Sequence, residues 1–412
     1  MREMKDSGIA WIGAIPKEWH LSKIGSLYTQ RNEKVSDKDY PPLSVTMQGI
    51  LPQLATAAKS DDGDNRKLVR AGDFAINSRS DRRGSCGISP LDGSVSLINI
   101  ILTPRTPMHP GYYNWLFHTT LFADEFYKWG HGIVADLWTT RWQEMKSISV
   151  PVPKYVEQER IAAFLDAECA EIDAVLEKTR SSIEEYKKLK QAVITQAVTK
   201  GIRGGRPMKD SGIEWIGEIP AEWDVIRNVF LYKEKSRLPE EDAVSLSLSQ
   251  VDGLIATDDM KERSLKTSTY DGWKQVRTND LVLNRFKGHL GVLFAASIEG
   301  MVSFHYGVYE PLRQFDSKFF EYLYHSDVYK AILGLKSNGM TIGLQNLSNQ
   351  NFYSVYSLYP PEAEQQEITQ YLDDKCSGID ALVVQKQEHL TEIENYKKSL
   401  IYEYVTGKKE VV

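Results

Sequence analysis

Residues 4–19 read MKDSGIAWIGAIPKEW and residues 208–223 read MKDSGIEWIGEIPAEW, with thirteen of sixteen positions identical at an offset of 204 in a 412-residue chain. A match that dense at half the chain length marks an internal duplication, so the fold must be two copies of one plan. A second block repeats too: 157–173 is EQERIAAFLDAECAEID and 364–380 is EQQEITQYLDDKCSGID. Both follow prolines (Pro151 and Pro153; Pro360 and Pro361), which fit a loop just ahead of a helix.

From there both copies run on without proline. Apolar residues recur at helical spacing: Ile161, Leu165, Ile172, Leu176, Thr179, Ile183, Tyr186, Val193 and Ala197, then Ile368, Leu372, Ile379, Val383, Leu390, Ile393, Leu400 and Tyr404. Alternating three- and four-residue steps give a narrow stripe, as in a coiled-coil seam. Gly201 and Gly407 stand where C-terminal stops belong. A helix of about 40 residues is about 60 Å long at roughly 1.5 Å per residue, longer than a globular domain needs. Two such helices with matching stripes most simply pack on each other. Asp173 to Tyr186 spans 13 residues and the parallel Asp380 to Tyr396 spans 16, which reads as a three-residue, stammer-type insertion.

Two segments of similar length, about 20–150 and 224–357, lie between the shared blocks. Short alternating stretches rich in Gly, Val, Ile and aromatic residues predict mixed α/β structure with substantial strand. Weaker echoes link them at an offset of 207: Gly72–Asn77 with Asn279–Asn284, Tyr113–His118 with Phe320–His325, and Gly132-Ile133 with Gly339-Met340. The flanks match closely, while the interiors share a pattern and differ in detail. That is the signature of one scaffold carrying two different readers.

Length alone implies two or three domains. The 42% hydrophobic and 26% charged fractions are those of a soluble globular protein. No apolar run approaches the roughly 18–20 residues that span a bilayer, and MREMKDSGIAW lacks the apolar core of a signal peptide. A cytoplasmic protein away from membranes is expected. Cys86, Cys169 and Cys376 form no CxxC, so reduced, buried thiols are expected, with neither a disulfide framework nor a zinc site. The net charge of −6 argues against nucleic acid at first sight, but its distribution does not: +2 over 20–150, −1 over 224–357 and −5 over 358–412. A local basic groove on each globular segment remains open.

Catalytic signatures are missing. The chain has no GxxxxGK[ST] loop, no Gly-rich turn for AdoMet after a clear strand, and no HxxxH pair. Its two YPP triplets, Tyr40-Pro41-Pro42 and Tyr359-Pro360-Pro361, do not have the order of the amino-methyltransferase loop. No catalytic residue, metal ligand or cofactor is assigned. His118 and His325, equivalent and set among apolar residues, are expected to be structural, with partners for their polar atoms.

The strongest nucleic-acid candidates follow the paired strands. Arg79, Arg82 and Arg83 sit on one short polar loop, and Arg285, Lys287 and His289 take the same place in the second half. Arginine pairs bidentately with guanine edges, and arginine or lysine with phosphate. A solvated surface loop is the competing reading. Arg141 and Gln143, then Gln345 and Asn346, form a second set that can read adenine edges; helix capping is the competing reading there. Thr46-Met47-Gln48 and Ser249-Gln250 are weaker versions of the same idea. Trp11, Trp19, Trp215 and Trp223 are near-identical in both halves, where two readers should differ, so they read as structural anchors.

The whole arrangement resembles the specificity subunit of type I restriction–modification systems. The resemblance rests on SGIxWIGxIPxEW opening each half, EQxxIxxxLD starting each helix, and the order variable–helix–variable–helix over essentially the full chain. It implies an α+β fold with a pseudo-twofold internal repeat: target recognition domains over 1–150 and 206–357, and long helices over 151–205 and 358–412 forming an antiparallel coiled coil. It further implies that each variable domain reads one half of a split double-stranded DNA site. Two methyltransferase subunits with AdoMet, modifying adenine N6, and restriction/translocase subunits would supply the chemistry. The rivals are a self-contained enzyme and a coiled-coil scaffold or protein-binding module with no DNA role.

Overall fold

The computed structural model describes residues 2–53, 63–132, 138–250, 253–260, 270–337 and 346–411. The chain divides into two compact units: residues 1–180 with 388–412, and residues 181–387. Each unit therefore holds one variable segment, the first part of one long helix and the last part of the other.

In the first unit the opening block is a hairpin, Met4–Asp6 with Ala14–Pro16. The chain then enters strand His20–Lys23, which pairs antiparallel with Ser149–Val152 and so closes the variable segment at its own ends. Inside lies a four-stranded antiparallel sheet in the order Cys86–Ile88, Phe74–Asn77, Asn99–Pro104, Tyr28–Arg31. A three-stranded sheet (Gly93–Val95, Arg66–Val69, Lys34–Val35) and the hairpin Leu43–Thr46/Gly49–Pro52 cover one face. Helices Pro110–Phe117 and Thr120–Lys128 follow.

Strand residues alternate between two cores because successive side chains point to opposite faces. Phe74, Ile76, Ile100 and Leu102 join an aromatic core with Tyr28, Tyr113, Phe117 and Phe122. Ala75 and Ile101 join a smaller one with Leu43, Ile50, Val69 and Val95. Cover on both faces buries Phe74–Asn77 throughout, and its first three residues are accordingly all apolar.

The second unit repeats this plan. Asp224–Arg227 pairs with Tyr356–Tyr359, and the four-stranded order is Leu293–Ala295, Leu281–Asn284, Tyr306–Pro311, Tyr232–Glu234. Lys274–Val276 pairs with Gly300–Val302, and Leu246–Ser249 with Gly253–Ala256. Leu281, Leu283 and Tyr309 face the aromatic core, and Val282 and Val308 the smaller one. Matching glycines allow the small sheets to close: a Cβ on Gly93 would lie 2.5 Å from the Pro41 carbonyl oxygen, and one on Gly300 2.4 Å from that of Val244. Lys34–Val35 has no counterpart strand among the described residues of the second unit.

The long helices are Tyr155–Lys200 and Glu362–Val405, 46 and 44 residues. Gln158 donates to the Pro153 carbonyl at 2.9 Å and Gln365 to that of Pro360 at 2.8 Å, tying each first turn to the loop before it. Gly201 and Gly407 end the helices with φ of +76° and +72°. The helices run antiparallel in each unit. Lys397 meets Asp173 at 2.6 Å and Arg180 meets Glu394 at 2.7 Å in the first. In the second, Lys190 meets Asp380 at 2.6 Å, and Lys386 Nζ lies 5.6 Å from the centre of the Tyr186 ring.

The buried seam follows the expected stripe in part. Ile161, Leu165, Leu176, Ile183, Ala197, Ile368, Leu372, Ile379 and Leu400 are buried, joined by Cys169 and Cys376. Thr179, Tyr186 and Val193 are only half-buried. The expected three-residue insertion is not present. The helices start 207 residues apart, and the first is longer by two residues. Tyr186 and Tyr396 are therefore not equivalents; the former packs under Lys386 and the latter is exposed.

Candidate nucleic-acid interface

In the first unit Asn77 stands opposite Asn99 in the sheet, so the loop leaving one strand and the loop entering the other emerge together. The Asn77 Oδ1 accepts from the Arg79 amide at 3.0 Å, and the Ser78 hydroxyl donates to the Ile98 carbonyl at 2.5 Å. The Thr140 amide donates to the Ser78 carbonyl at 3.0 Å, which lays the 138–143 segment alongside. Tyr127 Oη lies 3.2 Å from the carbonyl oxygens of both Asn77 and Arg82 and fastens the loop from beneath. The turn 46–49 is the fourth component: a Cβ on Gly87 would lie 2.9 Å from Gly49 Cα. The 46–49 turn and the two loops beside Asn77 and Asn99 line a cleft of about 580 Å³ that includes Thr46, Gln48, Asn77, Arg82, Arg83 and Ile98.

Two of the sequence-predicted sets, Arg79/Arg82/Arg83 and Arg141/Gln143, are thus brought to one sheet end with the 46–48 turn. Arg79, Arg82 and Arg83 are exposed. Arg82 lies 3.7 Å from Asp81, and Arg83 pairs with Asp124. Surface pairs of this kind are worth about 0–1 kcal/mol, so phosphate can displace them. Arg141 and Gln143 are exposed at the start of the short helix Trp142–Met145, whose first turn is closed by the Arg141 amide donating to Glu144 Oε2 at 3.0 Å.

The second unit builds the same end from different side chains. Asn284 stands opposite Tyr306, and its Oδ1 accepts from the amides of Phe286 and Lys287, each at 3.2 Å. The Leu347 amide donates to the Arg285 carbonyl at 2.9 Å, the counterpart of the Thr140–Ser78 bond 207 residues earlier. Lys67 Nζ donates to the Asn99 carbonyl at 2.7 Å and Lys274 Nζ to that of Tyr306 at 2.8 Å. A lysine, half-buried in the first unit and buried in the second, pins the second loop in each, and burial lowers the Lys67 pKa.

Arg285 does more inside the unit than the sequence indicates. Its half-buried guanidinium pairs with Glu234 and donates to Asn349 Oδ1 at 2.9 Å, which also accepts from Tyr309 at 2.7 Å. Lys287 is exposed and forms no ion pair among the described residues. His289, in the turn Gly288–Leu290, is half-buried with Nδ1 lacking a hydrogen-bond partner among the described residues. Asn346 is exposed. Gln345 lies outside the described residues, as do Ile133, Gly339, Met340 and Leu344. Gln350 was missed by sequence reasoning. It is exposed on the short helix Asn349–Tyr353, 207 residues after Gln143, and carrying the interior offset past residue 346 would have found it.

The anchors are structural. Trp19 Nε1 donates to Glu157 at 2.8 Å and Trp223 Nε1 to Glu364 at 2.9 Å, so each opening block docks on a long-helix start. His118 Nδ1 lies 2.6 Å from the Asn114 carbonyl; the His325 ring meets the backbone of Leu293 and Gly291, but its Nε2 has no partner among the described residues, against expectation. Burial lowers both imidazoles, His325 to about 4. All three cysteines are free and buried, and burial pushes Cys86 up to about 12. Among the described residues no group of His, Cys, Asp and Glu could hold a metal. None of their helices is long and apolar enough to cross a membrane.

No protein-family model matches the sequence. Solved structures do match. One, described in terms of complex assembly and conformational transition of the type I restriction–modification system, superposes with a TM-score of 0.72 at 13% identity, over 96% of this chain and 99% of that one. The HsdS subunit of Thermoanaerobacter tengcongensis superposes with a TM-score of 0.53 at 15% identity, over 96% of this chain and 98% of that one. The chain has the type I specificity-subunit fold. Two mixed α/β segments and two long helices in the expected order make up that fold, and both candidate reading ends lie at corresponding places in its repeat.

Proposed function

We propose that this chain is the DNA sequence-recognition subunit of a type I restriction–modification complex. Residues 1–150 and 206–357 act as target recognition domains, one per half of a bipartite site, and 151–205 and 358–412 as the helical arm that sets the spacer. The carrying observation is the repeated reading end: the same backbone frame, held by the same bonds 207 residues apart, presents Arg79, Arg82, Arg83, Arg141 and Gln143 in one copy and Lys287, Asn346 and Gln350 in the other. Equal frames with unequal side chains suit two readers of unequal sequences. Base edges supply specificity, and phosphate contacts supply affinity that falls with salt. In this reading the chain is non-catalytic. Two methyltransferase subunits carry AdoMet and modify adenine N6, and restriction/translocase subunits join them.

Single-molecule methylation mapping of the host genome tests the proposal. The expected result is a bipartite methylated motif that disappears when this gene is deleted. A methylome unchanged by the deletion, with the partner subunits present and active, overturns it.

A further inference from the structure

Three rings stand in the open at the reading end of the second unit. Phe286 and Phe304 are 47% and 53% exposed. His305 lies between them, its ring centroid 5.7 Å from that of Phe286 and 3.9 Å from that of Phe304. Soluble domains seldom leave contiguous aromatic surface bare unless something binds it. The rings are carried on fixed backbone. Asn284 Oδ1 holds the Phe286 amide, the Tyr306 amide donates to the Ser303 carbonyl at 3.1 Å, and Lys274 holds the Tyr306 carbonyl at 2.8 Å.

The first unit carries Arg79, Leu97 and Ile98 at the corresponding positions, and Leu97 and Ile98 are 40% and 37% exposed. The loop before the long strand is thus exposed and largely apolar in both copies, aliphatic in one and aromatic in the other. Phenylalanine has no hydrogen-bonding edge, so Phe286 and Phe304 do not read bases by the donor–acceptor code. They offer flat apolar faces beside the exposed cation of Lys287.

We propose that Phe286, Phe304 and His305 form a wedge that enters and partly unstacks one base step of the DNA half-site read by this unit, and that Leu97 and Ile98 make the aliphatic contact in the other half-site. The inference rests on the DNA-recognition reading above and deepens it. An inserted apolar side chain kinks a duplex at the cost of unstacking, and aromatic faces recover that cost by stacking on the opened base. Flexible pyrimidine–purine steps open most easily, so the wedge contributes specificity at a position where no base edge is hydrogen-bonded. Lys287 is placed to neutralise a phosphate at the opened step.

The test uses the full chain assembled with its modification subunits, and duplexes carrying the mapped bipartite motif with 2-aminopurine substituted at one position at a time. Binding is expected to raise fluorescence at one step of one half-site. Phe304→Ala and Phe286→Ala are expected to abolish that rise and to weaken binding about ten- to a hundredfold. A mismatch at the step is expected to tighten the native complex and leave F304A unchanged. Leu97→Ser with Ile98→Ser is expected to alter only the other half-site. Because all these side chains are exposed, the variants should melt as the native protein does. If F304A, folded by that measure, gives native fluorescence and affinity, the wedge is overturned while DNA recognition stands. Failure of the native complex to bind any duplex bearing the motif overturns both. If F304A loses its modification subunits in gel filtration while the assembled fraction keeps the fluorescence change, the rings face a protein and the wedge is again overturned.

Discussion

Glu364 is the residue on which the second unit's entry is hung. It accepts from Trp223 at 2.9 Å and from Arg206 at 3.0 Å, and that guanidinium also pairs with Glu222 and lies 5.8 Å from the centre of the Trp223 ring. Glu157 holds Trp19 and Arg2 in the same way. Burial works to raise the Glu364 pKa, but Arg206 and Trp223 outweigh it and hold the carboxyl below its usual 4.5. A carboxylate depressed in the folded state stabilises above its unfolded pKa, and that contribution is lost as pH falls through the folded value. Glu364→Gln should therefore cost about 3 kcal/mol at neutral pH, read by urea melts, and should flatten the loss of stability below about pH 4.5. His325 acts in a higher window. Held neutral down to about 4, it favours the unfolded state as pH falls below about 6.5, so the native protein should lose melting temperature from pH 7 to pH 5 and His325→Asn should lose less. Arg285 and Lys287 separate by role. Arg285→Ala should destabilise the second unit by about 1–2 kcal/mol, because Glu234 and Asn349 lose a half-buried partner. Lys287→Ala should leave stability alone and lower the slope of log affinity against log salt by about one. The tryptophans were legible as anchors from their identity in both halves. Arg285 was not legible as a strut, because its partners lie 51 and 64 residues away and no local pattern announces them.

At the scale of elements, the sequence yields what is local and repeated. The helix starts were readable from EQxxI after proline, and both stops from Gly201 and Gly407. The strands ending at Asn77 and Asn284 were readable as a pair from their offset of 207, but not their cover on both faces. The small sheets were harder, since Lys34–Val35 and Gly93–Val95 are two and three residues long and their partners are distant. Their packing depends on glycines without a local signature. Gly300→Ala would drive a methyl into the Val244 carbonyl at 2.4 Å and the Leu246 side chain at 2.8 Å. It should destabilise the second unit by about 2 kcal/mol, measured by denaturant unfolding, and Gly93→Ala should do the same in the first. The proposed reading ends were legible as residue types and not as assemblies. Thr140 on Ser78 and Leu347 on Arg285 are the bonds that join separate candidate loops, and each spans 62 residues of sequence.

At the scale of the whole molecule, each long helix gives its first part to one compact unit and its last part to the other. Such a helix cannot change length without changing what it connects. The seam of the second helix thins out between Ile379 and Leu400, opposite Leu176 and Ile183 of the first, and ion pairs such as Lys397–Asp173 and Arg180–Glu394 flank that stretch. Exposed pairs of this kind add little energy and fix register instead. Under the proposed function the arm sets the number of unread bases between half-sites. Removing seven residues keeps the heptad phase of a seam and shortens a helix by about 10 Å, roughly three base-pair steps. A matched deletion of one heptad from each helix, centred on the thin stretch, should therefore shift the methylated motif to a spacer about three base pairs shorter and leave both half-sites unchanged. Methylation mapping of cells carrying the variant reads both at once. An unaltered spacer, with the variant folded and methylating, removes the ruler from the mechanism and leaves the two readers standing.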